Sequence, residues 1–435
     1  LKLTDLFSRA VAMVGGLGIL MRRYSGETPA VAWGESPAIP PASPQPIPTL
    51  KMPTAHGWHE GRKPTAAPGL AVNAFATGLI HPRMIYVLPN GDVLTAEALS
   101  TPGGPAKSAF DLAIRSTMRR AGALADSSPN RITLLRDADG DGTAEVRETF
   151  LSNLNMPYGM ALRDSTFYVG NTDAVLAFPY NEGDTKISAP SSQKLLDTKP
   201  GGHWTRNLLL SPDNSKLYVA VGSSNNIAEN GLAAEEGRAC IFEIDLATGQ
   251  SRIYGGGLRN PVGMAWEPNT QALWTVVNER DGIGDETPPD YLTSVQDGGF
   301  YGWPWAYWQI VDDRVPANPE MSAKALKPDY ALGGHTASLG LCWVPAGTLP
   351  GFPDGMAIGQ HGSWNRSVLS GYRMIFVPFE NGKPSGPARD LLTGFLSDDE
   401  KLSYGRPVGV AIGPDKKSLL LADDVGDVIW RVTGA

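Results

Sequence analysis

Cysteine is nearly absent from this chain: Cys240 and Cys342 are the two in 435 residues. That excludes a disulfide framework and any cysteine-based zinc or iron–sulfur site, and without a Cys-x-x-Cys-His run no c-type haem is attached. Cys240 follows Ala239 and precedes Ile241 and Phe242, the setting of a small buried hydrophobe. Charge is sparse, at 19% of residues, with a formal net of −8 and no run rich in lysine or arginine. Phosphate binding needs a basic footprint, so nucleic acid is excluded as a partner. Long apolar runs are missing. The run from Ala10 to Met21, after Lys2 and Arg9, is only about 12 residues and falls short of the ~20 that cross a bilayer. It fits the apolar part of an export signal, with Ala30-Val31-Ala32 as a cleavage site and the periplasm as destination. Arg22 and Arg23 between the two are unusual for a signal, and a membrane anchor retained over residues 1–33 is the alternative.

What the chain has instead is turn chemistry and aromatic bulk: 50 Gly, 36 Pro and 11 Trp. This is an all-β composition. Residues 34–71, with prolines at 37, 40, 41, 44, 46 and 48, read as an extended linker with little capacity to form a core. From about Val72 one phrase recurs, an apolar strand, a Pro-Asp or Pro-Asn type of turn and a second apolar strand. It stands at residues 84–97, 160–170, 208–222, 264–277 and 410–423, with a weaker copy at 350–364. Six copies predict a six-bladed β-propeller over residues 72–435. The alternative is a pair of β-sandwiches, which rarely repeat one turn phrase so often. Ala106 to Ala123 breaks the strand rhythm and reads as a helical insertion in the first blade.

Asp137, Asp139, Asp141 and Gly142, followed by Thr143 and then Glu148, satisfy the calcium-loop pattern D-x-D-x-D-G-x5-E. The flanks are strand-like, so the expectation is a calcium-binding hairpin whose ion is structural. A solvated acidic turn is the bland alternative. Of the six histidines, His56 and His59 read as surface residues in the proline-rich segment and His81 as structural. His203 follows Gly201-Gly202 just ahead of a strand, in a loop near the propeller axis where a general base would sit.

An ordered set of motifs then carries a resemblance. Gly257-Leu258-Arg259-Asn260-Pro261 is followed by Asn278-Glu279-Arg280-Asp281-Gly282 with Asp285-Glu286, and by Tyr301-Gly302-Trp303-Pro304. Further on come Gln360-His361-Gly362-Ser363-Trp364-Asn365-Arg366 and Gly405-Arg406-Pro407-Val408-Gly409. Over about residues 72–433 the chain resembles the pyrroloquinoline-quinone-dependent sugar dehydrogenases, soluble aldose and sorbosone dehydrogenases among them, with the sorbosone type nearest.

The resemblance implies that His203 is the general base and that Arg259 and Asn260 contact the quinone carbonyl region. It implies a catalytic calcium held by the backbone carbonyls at Asp281 and Gly282, and Arg406 on a quinone carboxylate. This chain departs from the glucose-oxidising members at Gly202, at Arg280 where they carry glutamine, and at Val408. The family's lysine has no clear counterpart; His361 or Arg366 could substitute, and His335 or Thr336 could occupy the cofactor-side loop. The activity implied is oxidation of an aldose or sugar aldehyde by hydride transfer to the quinone. A separate acceptor, a quinone or cytochrome, would receive the electrons, and the N-terminus could associate with a membrane. Two rival readings are a calcium-dependent propeller lactonase, which needs carboxylate and asparagine side chains converging on an axial metal, and a non-catalytic binding propeller.

Overall fold

The computed structural model describes residues 32–435 except 45–48 and Glu60, so the signal-like segment lies almost wholly outside the described residues. Six sheets of four to six strands follow one another along the chain, antiparallel throughout except where Gly299–Phe300 adds in parallel to the third, and two further two-stranded pairings lie outside them. The first strands of blades one to six are Pro82–Val87, Gly159–Arg163, Arg206–Leu210, Pro261–Glu267, Ser338–Val344 and Pro407–Ile412. Each pairs with its successor across the recurrent turn. The weak sixth phrase is the turn and second strand of blade five, Gly355–Gln360. Blade six is completed by the chain's beginning, because Leu70–Ala76 pairs with Val428–Gly434. That exchange ties the two ends of the ring together, with Leu70–Ala76 as the outer strand of the blade.

No blade can bury both faces alone, and the core is accordingly distributed between blades. Phe150, Phe167 and Tyr180 seal blade one against blade two. Trp274, Met356 and Ile358 do the same for blades four and five. On the axis, Tyr158, Val262, Leu339 and Val408 form a small apolar plug. The inner strands approach at backbone distance there. A Cβ on Gly340 would lie 2.1 Å from the Val408 carbonyl oxygen, and one on Gly409 would lie 2.5 Å from that of Arg83. The repeated Pro-Val-Gly at 261–263 and 407–409 answers this demand for a side chain of no volume.

The inserted helix is Ala109–Arg120, within the expected 106–123, capped by Ser108 whose hydroxyl accepts from the Asp111 N–H. The proline-rich stretch differs from expectation. It is extended, yet it is not a free tether: Trp33–Gly34 adds to the edge of blade four and Thr65–Ala66 to that of blade five. Between them the Lys51 N–H donates to the Trp364 carbonyl and the Trp58 indole to Asp423 at 2.6 Å. Among the described residues no helix is long and apolar enough to cross a membrane.

Candidate active site

In blades one, four and six the first strand opens on an X-Pro pair and carries a register irregularity, between Pro82 and Ile85, Pro261 and Met264, and Pro407 and Val410. Such bulges re-aim neighbouring side chains, here those that precede each strand: His81, Asn260 and Arg406. Above the apolar plug lie two adjoining cavities of ≈ 450 and ≈ 580 Å³. Both are lined by His203, Arg259 and Asp281, with Trp364 and Asn365 on the rim. The larger also takes in Asn260, His335, His361, Arg406 and Arg83.

His203 is held through Nδ1, which lies 3.0 Å from the Ser223 carbonyl oxygen and 3.0 Å from its hydroxyl. A carbonyl only accepts, so Nδ1 carries the proton and Nε2 keeps its lone pair toward the cavity. Burial, reinforced by the Arg259 charge, depresses the imidazole to about 3. It is therefore neutral at any ordinary pH.

Arg259 was expected to contact the quinone carbonyl region, and here its guanidinium edge is already used. Nε donates to the Asn226 carbonyl at 3.1 Å, Nη1 to those of Asn278 and Glu279 at 3.3 and 2.6 Å, and Nη2 to Asn226 Oδ1 at 3.0 Å and Asp281 Oδ2 at 3.2 Å. All five N–H groups hold protein, leaving its charge and planar face to the cavity. Asn260 keeps a buried Oδ1 without a partner.

The Asp281 carboxylate faces Arg259, the Asn365 amide at 2.7 Å and His335 Nδ1 at 3.4 Å. Burial opposes its charge, but Arg259 and His335 hold it down to about 2. For His335 burial favours the neutral ring, yet Asp281 outweighs it and raises the pKa. Its Nε2 donates to the Gly284 carbonyl at 2.9 Å. Glu279, also on the cavity wall, is pushed up by burial to about 7 and has a partnerless Oε1.

A second carboxylate organises the opposite wall. Asp424 Oδ2 takes Arg83 Nη1, His361 Nε2 at 2.8 Å and His81 Nε2 at 3.2 Å. Despite burial, these groups hold Asp424 far below the usual carboxylate range. Burial and Arg406 depress His361 to about 3, and burial takes His81 to about 4. Arg406 donates from Nε to the His361 carbonyl and from Nη2 to that of Gly362, both at 2.9 Å.

Two expected site residues lie elsewhere. Arg366 lines neither cavity. It clamps loops together, donating to the Val368, Asp285 and Gly334 carbonyls at 2.9, 2.7 and 3.0 Å and pairing with Glu286. Thr336 is wholly buried and donates to Asp290 at 3.1 Å, so it supports the loop from behind. Gly282 lines the smaller cavity with φ +86°.

The acidic hairpin forms, with one change of membership. The carboxylates of Asp137, Asp139, Asp141 and Glu145 have oxygens within 4.8 Å of one another. Glu148 does not join them, because it has been drawn into the strand Val146–Leu151, opposite Leu134. The Thr143 N–H closes the turn on Asp141 Oδ1 at 2.7 Å.

Arg83, Asp424 and Asn226 were not singled out from the sequence, His81 was read as structural, and Asn365 was quoted only as part of a motif. Superposing the blades as repeats would have found two of them: His81-Pro82, Asn260-Pro261 and Arg406-Pro407 are equivalent positions, and Arg83 follows the first.

A TrAA12-like family profile matches residues 124–291. Among curated relatives, an uncharacterised protein of Borreliella burgdorferi is 26% identical over 65% of this chain and 77% of its own length. A pyrroloquinoline quinone-dependent sugar dehydrogenase of Hypocrea jecorina is 25% identical, over 63% of this chain and 64% of its own. A pyrroloquinoline quinone-dependent pyranose dehydrogenase of Coprinopsis cinerea is 23% identical, over 68% and 49%. The resemblance to the quinoprotein sugar dehydrogenases is borne out. The chain spans about two thirds and about half the length of those two quinone-dependent relatives. Their fold is shared as well: a family AA12 structure from Trichoderma reesei superposes with a TM-score of 0.68 at 21% identity, covering 90% of this chain and all of that one. The holo quinone domain of the Coprinopsis cinerea pyranose dehydrogenase gives 0.67 at 19%, over 88% and 100%.

Proposed function

We propose that this chain is a quinoprotein oxidoreductase that oxidises an aldose or sugar aldehyde. The observation that carries the reading is that a neutral His203, whose Nε2 is left unprotonated, lines the same cavity as Arg83, Arg406 and His361. A planar tricarboxylate suits that cavity, because guanidinium groups pair with carboxylates at fixed geometry. Arg406 and Arg83 would hold its carboxylates, and the partnerless Asn260 Oδ1 offers an acceptor beside it. Bound there, pyrroloquinoline quinone supplies a two-electron acceptor for the substrate's hydride.

The chain's own residues do the rest. His203 Nε2 takes the proton from the substrate hydroxyl at the carbon being oxidised, while Ser223 keeps the ring from turning. The fixed charge of Arg259 favours negative charge developing nearby, and a preorganised guanidinium needs no reorganisation to do so. A ring hemiacetal would leave as its lactone, and the hydrate of a keto-aldehyde as its acid. Trp364, 39% exposed at the rim, offers an aromatic face for a sugar.

The calcium expected on the Asp281 and Gly282 carbonyls does not fit. The Asp281 carbonyl already accepts from Asn226 Nδ2 at 3.1 Å and from Arg280 Nη2 and Nε at 3.2 and 3.3 Å. Among the described residues the acidic hairpin is the one cluster of three or more His, Cys, Asp or Glu ligands. A calcium ion in that hairpin, a sorbosone-like substrate, export to the periplasm, membrane association and an external quinone or cytochrome as electron acceptor all belong to this proposal. The test is to add pyrroloquinoline quinone to the purified protein and follow dye reduction across a panel of aldoses and aldehydes. Quinone-dependent reduction is expected, and an inert protein that binds no quinone overturns the reading.

A further inference from the structure

The carbonyl that should receive a metal ion is not merely approached by donors; it is locked to them. Asn226 cannot turn its amide away, because its Oδ1 accepts from the Asp281 N–H at 2.7 Å and from Arg259 Nη2 at 3.0 Å. Arg280 cannot swing out. It is 4% exposed and paired through Nη1 with Asp312, which Arg314 holds from the other side at 3.0 Å. The side chain of Asp281 is no freer, with Arg259 on Oδ2 and the Asn365 amide and His335 on Oδ1. A guanidinium does not deprotonate in proteins, so a divalent ion placed on the Asp281 carbonyl would have to displace the two Arg280 N–H donors already on it.

The loop 279–282 is thus tied down by Arg259, Arg280 and Asn226, the work a bound ion would otherwise do. We infer, on the basis of the quinone reading above, that this pocket binds its quinone without a metal ion, the Arg280–Asp312 pair standing in the ion's place.

The test is a titration of the purified protein with pyrroloquinoline quinone, followed by the quinone's absorbance and by thermal shift, once in EGTA and once with excess calcium. The expected dissociation constants agree within about threefold, which is less than 1 kcal/mol. A quinone affinity that falls about tenfold or more in EGTA overturns the inference and leaves the quinone reading intact. No binding in either condition overturns the quinone reading and this inference with it. The double variant Arg280→Gln with Asp312→Asn removes both charges, so neither is left buried alone. Its binding is expected to become calcium-dependent by about tenfold or more. If it binds quinone as the unaltered protein does, with and without calcium, the pair is not what displaces the ion.

Discussion

Asp281 and Asp424 keep similar company beside the cavities of the propeller, and they are put to opposite uses. Each draws one arginine and at least one histidine: Arg259 and His335 for Asp281, Arg83, His81 and His361 for Asp424. Asp281 keeps a quarter of its side chain exposed, 26%, while that of Asp424 is sealed at 0%. Asp424 also crowds every partner onto one oxygen and leaves Oδ1 with none. A sealed carboxylate with three partners on one oxygen is a fastening. A carboxylate that opens to a cavity and splits its partners between two oxygens is part of a surface shaped for a ligand. The difference teaches that charge pairing alone does not mark a catalytic group; access does.

The largest effect that would sharpen this contrast is at the open wall. His203→Ala should lower kcat by about 10²–10⁴ while quinone absorbance survives gel filtration, because the groups proposed to hold the cofactor do not depend on the imidazole. Wild-type turnover at saturating quinone and unchanged pH would end the assignment of His203. The pH profile is a companion test. With His203 depressed to about 3, kcat/KM should show no acid limb near 6.5 from this group, and such a limb appearing in the unaltered enzyme but not in the alanine variant contradicts the burial argument.

At the sealed wall, Asp424→Asn should cost about 3–5 kcal/mol in urea unfolding, since it strands Arg83 without a partner. Asp281→Asn, where solvent reaches the site, should cost less than half as much and act mainly on turnover. If the two cost the same, the division into fastening and working surface is wrong. Arg406→Ala should weaken quinone binding by about tenfold to a hundredfold, the worth of a charged hydrogen bond, with activity partly restored by excess cofactor. The smallest effect belongs to the acidic hairpin. Asp139→Ala should lower the melting temperature in calcium by the equivalent of about 1 kcal/mol or less, with turnover per folded molecule unchanged. A collapse of turnover would make that loop part of the catalysis.

Local chemistry was legible in the sequence and long-range partnership was not. The turn phrase exposed the blades because a strand, a tight turn and a second strand are set by neighbours in the chain. The inserted helix was legible for the same reason, down to a few residues at each end. In the acidic hairpin the three aspartates come together, whereas Glu148 is drawn away by its strand pairing with Leu134 and Glu145 takes its place beside them. His203, Asn260, Asp281 and Arg406 were found through the family resemblance, and the fold gathers them from blades far apart in the chain.

By itself, then, the sequence determined an all-β ring of repeated blades, an acidic loop on the first, and the residue types a quinone and a proton would meet. Only the tertiary structure decided which of those residues are free to act. Arg259 and Arg406 look alike as single letters, yet the first spends every N–H on the loop beside it. Arg366 stands in a motif with His361, but its guanidinium is turned into the loops behind the cavity. Whether a guanidinium is a ligand or a brace depends on which carbonyls come within about 3 Å of it. Those carbonyls are supplied largely by other loops and blades, at separations along the chain that no local pattern spans.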